Sequence, residues 1–181
     1  NLKKCKRYNN SFVRDFSASV LFDNKWYIDY VLIENHRKEL EKDNTLINTN
    51  DLGAGSKIAH SHCKTIAKVA KRASVSMKSG RLLYRMARYY KPGLIIELGT
   101  SLGISTLYLS MGYPAAAVKT IEADSNLAAL ASGYFSNQGL TNIILINKSF
   151  DSALQMFPEA IKEKTIVFID GNHQRQAVIN Y

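Results

Sequence analysis

The sequence predicts an α/β fold, a parallel sheet covered by helices on both faces, preceded by a basic helical region. Three observations carry this. From Pro92 onward, short apolar runs rich in β-branched residues occupy 94–98, 117–122, 142–147 and 165–170. Between them lie 104–111, 125–137 and 150–157, each helical in period or composition. Each run ends in a polar or glycine-bearing turn, and in open α/β sheets ligands bind at the carboxyl ends of the strands.

The first half reads differently. Residues 26–41 predict a helix, with Tyr27, Tyr30, Val31, Ile33 and Leu40 in partly helical spacing. Residues 43–56, rich in Asn, Asp, Thr and Gly, predict a loop. A second helix is expected over 57–73, with Ile66, Ala67, Val69, Ala70 and Ala73 inward and Lys64, Lys68, Lys71 and Arg72 outward. After a break at 74–80, a third helix over 81–90 sets Leu82, Leu83, Met86 and Tyr90 against Arg81, Arg85 and Arg88. Charge follows the same division: residues 1–92 carry 19 Lys and Arg against 8 Asp and Glu, residues 93–181 only 5 against 7.

With 181 residues the chain is sized for one ordinary domain, and 46% hydrophobic with 22% charged residues excludes wholesale disorder. No window approaches the ~18 uninterrupted apolar residues of a membrane span. The basic opening stretch, residues 1–8, precedes no apolar run, so it reads as no export signal. Two cysteines, Cys5 and Cys63, cannot build a disulfide framework, and the expected compartment is a reducing cytoplasm.

The chemistry concentrates in the turn after the first apolar run, Glu97-Leu98-Gly99-Thr100-Ser101-Leu102-Gly103-Ile104-Ser105. Glycines let the backbone turn sharply and approach a ligand, and the following helix offers unpaired N–H groups. Glu122 ends the next run 19 residues after Gly103, where an acid can accept hydrogen bonds from both hydroxyls of a ribose. Together these predict a nucleoside ligand; a structural turn followed by an exposed Glu is the plainer alternative. The third glycine of GxGxxG is missing, and an acid inside the strand suits a ligand bearing an ammonium group, such as the methionine moiety of S-adenosylmethionine.

At these residues the sequence resembles class I S-adenosylmethionine-dependent methyltransferases, in particular the catechol O-methyltransferase-like branch. Their first motif, E-x-G-x-x-x-G-x-S, is matched by Glu97, Gly99, Gly103 and Ser105. Thr120-Ile121-Glu122-Ala123-Asp124 is similar to the second motif, which makes Glu122 the ribose ligand. Asn147-Lys148-Ser149-Phe150-Asp151 matches the loop after the third strand, where Ser149 and Phe150 would flank the adenine. Phe168-Ile169-Asp170-Gly171-Asn172-His173 resembles the fourth-strand motif, whose Asp lies beside the cofactor and binds Mg²⁺ in metal-dependent members. The resemblance covers roughly 94–181 and implies a Rossmann-like methyltransferase fold, with residues 92–181 as the cofactor-binding domain and 1–91 as a basic helical region beside the acceptor pocket. The implied activity is O-methylation of a small-molecule acceptor.

Two departures matter. His173 stands where the catechol-type enzymes place a lysine base, so His173 becomes the candidate base with Asp170 beside it. The Asp-Asn pair that completes their metal site comes from a later strand, and the sequence given ends at Tyr181 before one. The resemblance implies a sheet in the order 3-2-1-4-5-7-6, in which the run at 165 is interior; without a fifth partner it would lie on an open edge, so further strands, or a second copy in a homo-oligomer, are expected there.

Other readings remain. His60-Ser61-His62-Cys63 could supply metal ligands but lacks a second cluster, and reads better as helix surface. The Lys/Arg stripe over 57–91, interleaved with Tyr84, Tyr89 and Tyr90, is either a solvated helix face or a nucleic-acid surface, the latter making an RNA methyltransferase or a binding protein the alternative. Another activity on the same cofactor fold is a third. Asp51-Leu52-Gly53-Ala54-Gly55-Ser56 imitates the first motif but follows polar residues and reads as a loop, a flap over the site.

Overall fold

The computed structural model describes residues 10–50, 61–157 and 163–171. In chain order these form α1 (Ser11–Phe16) running into a π-helical turn (Ser17–Leu21), α2 (Ile28–Leu40), β1 (Leu46–Asn50), β2 (Ser61–Thr65), α3 (Ile66–Ala73), α4 (Met77–Tyr90), β3 (Leu94–Leu98), α5 (Ile104–Gly112), β4 (Ala117–Glu122), α6 (Ser125–Asn137), β5 (Ile143–Asn147), α7 (Phe150–Leu154) and β6 (Thr165–Ile169).

The four expected runs make one sheet in the order β5-β4-β3-β6, with every neighbouring pair parallel. This reproduces the 3-2-1-4 portion of the order that the resemblance implies. Strand β3 lies inside, flanked by strands on both edges, and is buried along its whole length, including Glu97 in the otherwise apolar run. Ile95 packs into the larger core with Leu107, Tyr108 and Leu109 of α5 and Ala131 and Phe135 of α6. Leu94, Ile96 and Leu98 point to the opposite face, against Phe150, Ala153 and Leu154 of α7. Among the described residues β6 pairs only with β3, and its Val167 is half exposed.

Helices α2 and α4 join this core, while Ile66, Val69 and Ala70 of α3 pack with Leu102 in a separate cluster. Tyr30 and Ile33 of α2 and Leu83, Tyr84 and Ala87 of α4 pack on α5. Two expectations for α4 are corrected here. The buried face of α4 is Gly80, Leu83, Tyr84 and Ala87, spaced i, i+3, i+4, i+7, not the Leu82–Met86–Tyr90 side. Small residues make that face: a Cβ on Gly80 would collide with the Tyr108 ring, and one on Gly112 would press on the Tyr84 backbone, so the glycines let α4 and α5 approach. This helix also starts at Met77, capped by the Ser76 hydroxyl accepting from the Ser79 N–H, and the break before it is only three residues.

Residues 46–50 are a strand, not a loop, and 61–65 a strand, not a helix; they pair antiparallel. Ile47 packs with the third apolar cluster and Thr49 is buried, a period-2 inward face hidden by the polar residues between them. Helix α3 begins only at Ile66, with the Thr65 hydroxyl accepting from the Lys68 N–H. Cys63 therefore sits exposed on a strand, while His60 and the loop 51–56 lie outside the described residues. Helix α7 is likewise shorter than expected, ending at Leu154. Residues 11–21, which carry no clear pattern, are helical because Val20 is buried and the Arg85 Nε donates to its carbonyl at 2.6 Å.

The arginines of α4 are not a bare stripe. Arg81 Nε and Nη2 donate to Glu34 Oε1 at 2.9 and 2.6 Å, and its guanidinium lies 4.6 Å from the Trp26 ring centre and 5.0 Å from that of Tyr30. Arg88 stacks over Tyr27 at 5.1 Å. These contacts clamp α2 to α4. Among the described residues no helix is long and apolar enough to cross a membrane. Arg81→Ala takes both guanidinium donors from the mostly buried Glu34 carboxylate, leaving it the long bond from the Tyr108 hydroxyl at 3.4 Å, and is expected to lower the unfolding free energy by about 2–4 kcal/mol in urea titration, while Lys78→Ala, at an exposed position, changes it by less than ~0.5 kcal/mol.

Candidate functional site

The site grows from the carboxyl end of β3. After Leu98 the backbone turns through Gly99 (φ 107), Ser101 (φ 49) and Gly103 (φ 82), all left-handed. At Gly99 close approach adds to the demand: a Cβ there would lie 2.9 Å from the Asp170 carbonyl oxygen. The turn is fastened on both sides, since the Gly99 and Thr100 N–H groups donate to the Ile121 carbonyl and the Asp170 N–H donates to that of Leu98. Ser101 is held in its left-handed conformation by its own N–H, which donates to Glu122 Oε2 at 2.8 Å.

Glu122 thus has one oxygen on the glycine turn and the other, Oε1, accepting from the Asp124 N–H at 2.9 Å. Burial raises its pKa, against which the backbone N–H groups of Asp124, Ser101 and Ala123 favour the charged form. Asp124 is itself buried and caps α6, accepting from the Asn126 and Leu127 N–H groups. Asn147 Nδ2 donates to the Glu122 carbonyl at 2.7 Å and ties the end of β5 to the end of β4.

Glu97 lies below the turn with no exposed surface. Its Oε2 accepts from Thr120 Oγ1 of β4 at 2.7 Å and from Thr106 Oγ1 of α5 at 2.5 Å. Burial lifts its pKa to about 7; the Ser105, Thr106 and Thr120 hydroxyls offset part of this, and the Asp170 charge pushes it further up.

Of the residues singled out in the sequence, the structure brings Glu97, Gly99, Gly103, Ser105, Glu122 and Asp170 to the carboxyl ends of β3, β4 and β6. Ser149 and Phe150 stand at the end of β5. There the Ser149 hydroxyl caps α7, accepting from the Ser152 N–H, and the Phe150 ring packs where a Cβ on Gly171 would fall, reaching across to the end of β6. His173 lies outside the described residues. Sequence reasoning overlooked Thr100, Thr106 and Thr120. The available signal was Thr120 itself, a hydroxyl at an inward position of the apolar run Ala117–Glu122. No group of three or more His, Cys, Asp or Glu among the described residues is placed to hold a metal ion.

No family model matches the chain. A curated relative, the catechol O-methyltransferase of Niastella koreensis, is 31% identical over 102 residues, which are 55% of this chain and 46% of that protein. The chain spans about half the length of that relative. Among solved structures, an O-methyltransferase from Bacillus cereus in complex with SAH superposes with a TM-score of 0.58 at 16% identity, covering 99% of this chain and 67% of that one. TomG, an O-methyltransferase of Streptomyces achromogenes involved in tomaymycin synthesis and solved in complex with SAM, gives 0.53 at 19% identity, covering 93% and 63%. The fold is that of class I S-adenosylmethionine-dependent methyltransferases.

Glu97 holds its proton to higher pH in the folded chain than in the unfolded one, where the ordinary value is 4.5. Protonation therefore favours folding: this contribution is complete below about pH 4.5 and is lost as the pH rises through about 7. Glu97→Gln, which stays neutral, is expected to flatten that part of the stability–pH profile in chemical denaturation; a profile falling as steeply as the unsubstituted protein's would assign the slope elsewhere.

Proposed function

We propose that this chain carries the cofactor-binding part of an S-adenosylmethionine-dependent O-methyltransferase acting on a small molecule. The observation that carries the reading is the Glu122 carboxylate, fixed at the end of β4 by the Ser101 and Asp124 N–H groups and so held against the glycine turn. Oε2 accepts from the Ser101 N–H and Oε1 from the Asp124 N–H, and the carboxylate keeps acceptor capacity for the ribose hydroxyls.

In this reading Glu122 holds the ribose, Gly99 and Gly103 let the backbone approach the ligand, Glu97 and Asp170 supply negative charge toward the ammonium end, and Ser105 supports Glu97. Ser149 and Phe150 border the adenine. The bound sulfonium supplies an activated methyl group; the protein's own tasks are to align the acceptor and take its proton. Alignment is worth up to ~7–11 kcal/mol of barrier. His173 is the base, with Asp170 beside it in the chain, and residues 1–91 complete the acceptor side. The likeness to a catechol O-methyltransferase over part of its length supports a hydroxyl acceptor. Asp170 is assigned to the cofactor, and no step is derived through Mg²⁺, because the described residues offer it no further cluster of ligands. The occupied arginines of α4 weigh against phosphate binding by that face.

Calorimetry with S-adenosylhomocysteine tests the reading. Glu122→Gln keeps the size of the side chain but loses the charge shared by the ribose hydroxyls, and affinity is expected to fall about tenfold or more. Unchanged affinity would sink the assignment. With a catechol as trial acceptor, His173→Ala should cut turnover by about 10²–10⁴ while cofactor affinity stays within twofold; full activity would remove His173 from the chemistry.

A further inference from the structure

The Glu97 network goes beyond what that reading uses. Glu97, Thr100, Thr106 and Thr120 are each at most 1% exposed. A hydroxyl has one proton to give, so Thr120, having donated to Glu97 Oε2, must accept from Thr100 Oγ1, 2.5 Å away. The protons therefore run in one direction, from Thr100 in the turn through Thr120 in β4 to Glu97 in β3, and Thr106 adds a second donor to the same oxygen. Among the described residues Glu97 Oε1, in contrast, has no hydrogen-bond partner. Buried polar atoms in native proteins are nearly always paired, and an orphan acceptor beside a second carboxylate, Asp170, asks for a cationic donor.

We propose that Thr120 is a positioning residue for the amino-acid half of the cofactor: by pinning one oxygen of Glu97 it leaves the other to attract the ligand's ammonium group. This rests on the S-adenosylmethionine reading above. Threonine suits the task because its branched Cβ fits an inner strand while its hydroxyl supplies the bond. Valine has nearly the same shape without the hydroxyl, and serine keeps the hydroxyl alone.

The test compares two ligands that share the adenosine half: S-adenosylhomocysteine, with the amino-acid tail, and 5′-methylthioadenosine, without it. Thr120→Val should weaken S-adenosylhomocysteine about tenfold and leave 5′-methylthioadenosine within twofold, and Thr120→Ser should restore the first. Thr106→Val removes the other donor to the same oxygen and should give the same split, which carries the test should Thr120→Val not fold. Equal weakening of both ligands would mean that the hydroxyl merely supports the turn, and would overturn the proposal. Unchanged S-adenosylhomocysteine affinity in both valine variants would overturn it too. If the unsubstituted protein binds neither ligand, the cofactor reading itself falls; binding of both with no split removes only Thr120's role.

Discussion

A carboxyl group sealed beneath the first turn is the constraint around which this half of the protein is arranged. An ionised side chain buried without partners costs several kcal/mol, and each hydrogen bond to a charged group returns only about 1.5–3 kcal/mol. Glu97 therefore draws hydroxyls from two separate elements, Thr120 of β4 and Thr106 of α5. Strand, neighbouring strand and following helix are pinned at one point. Compensation stays incomplete, as the pKa near 7 records. Above this point the chain must turn within a few residues and pass against the end of β6, which is why glycine occupies the place where a Cβ would touch Asp170.

The charge of the first half has an analogous explanation. A surplus of arginine and lysine over 1–92 reads, as a sum, like a surface for polyanions. Residue by residue, much of the arginine charge on α4 is spent at home: Arg81 on Glu34 and two aromatic rings, Arg85 on the Val20 carbonyl, Arg88 on Tyr27. Guanidinium groups suit this work because they pair with a carboxylate in their plane and stack on rings across it.

The parallel sheet was legible because strands covered on both faces draw on short, predominantly apolar, β-branched runs, and 94–98, 117–122, 142–147 and 165–170 supply these locally between helical stretches. The turn was legible because positive φ leaves its mark as glycine, at Gly99 and Gly103. What remained hidden depends on partners far along the chain. The face of α4 is built from Gly80 and Ala87, residues without apolar bulk, whose inward position becomes evident only against Tyr108 and Gly112 of α5. The β1–β2 pair has too little apolar content to announce itself, and its inward Thr49 looks like a loop residue. The threonines around Glu97 are individually unremarkable, and their meaning lies in a meeting that no local window contains.

The packing of α2 and α4 on α5 also bears on the order in which the protein can assemble. A chain made from its amino end exposes Tyr30, Ile33, Leu83, Tyr84 and Ala87 before the helix that covers them exists, because 104–112 comes later. Until then those residues can cover one another only in part, as Tyr30 does against Tyr84, and leave an apolar surface of the kind that makes folding intermediates prone to aggregate. Folding must wait for β3 and α5, the segment that also builds the glycine turn, so the late-arriving piece that completes the core is the same one that shapes the candidate site.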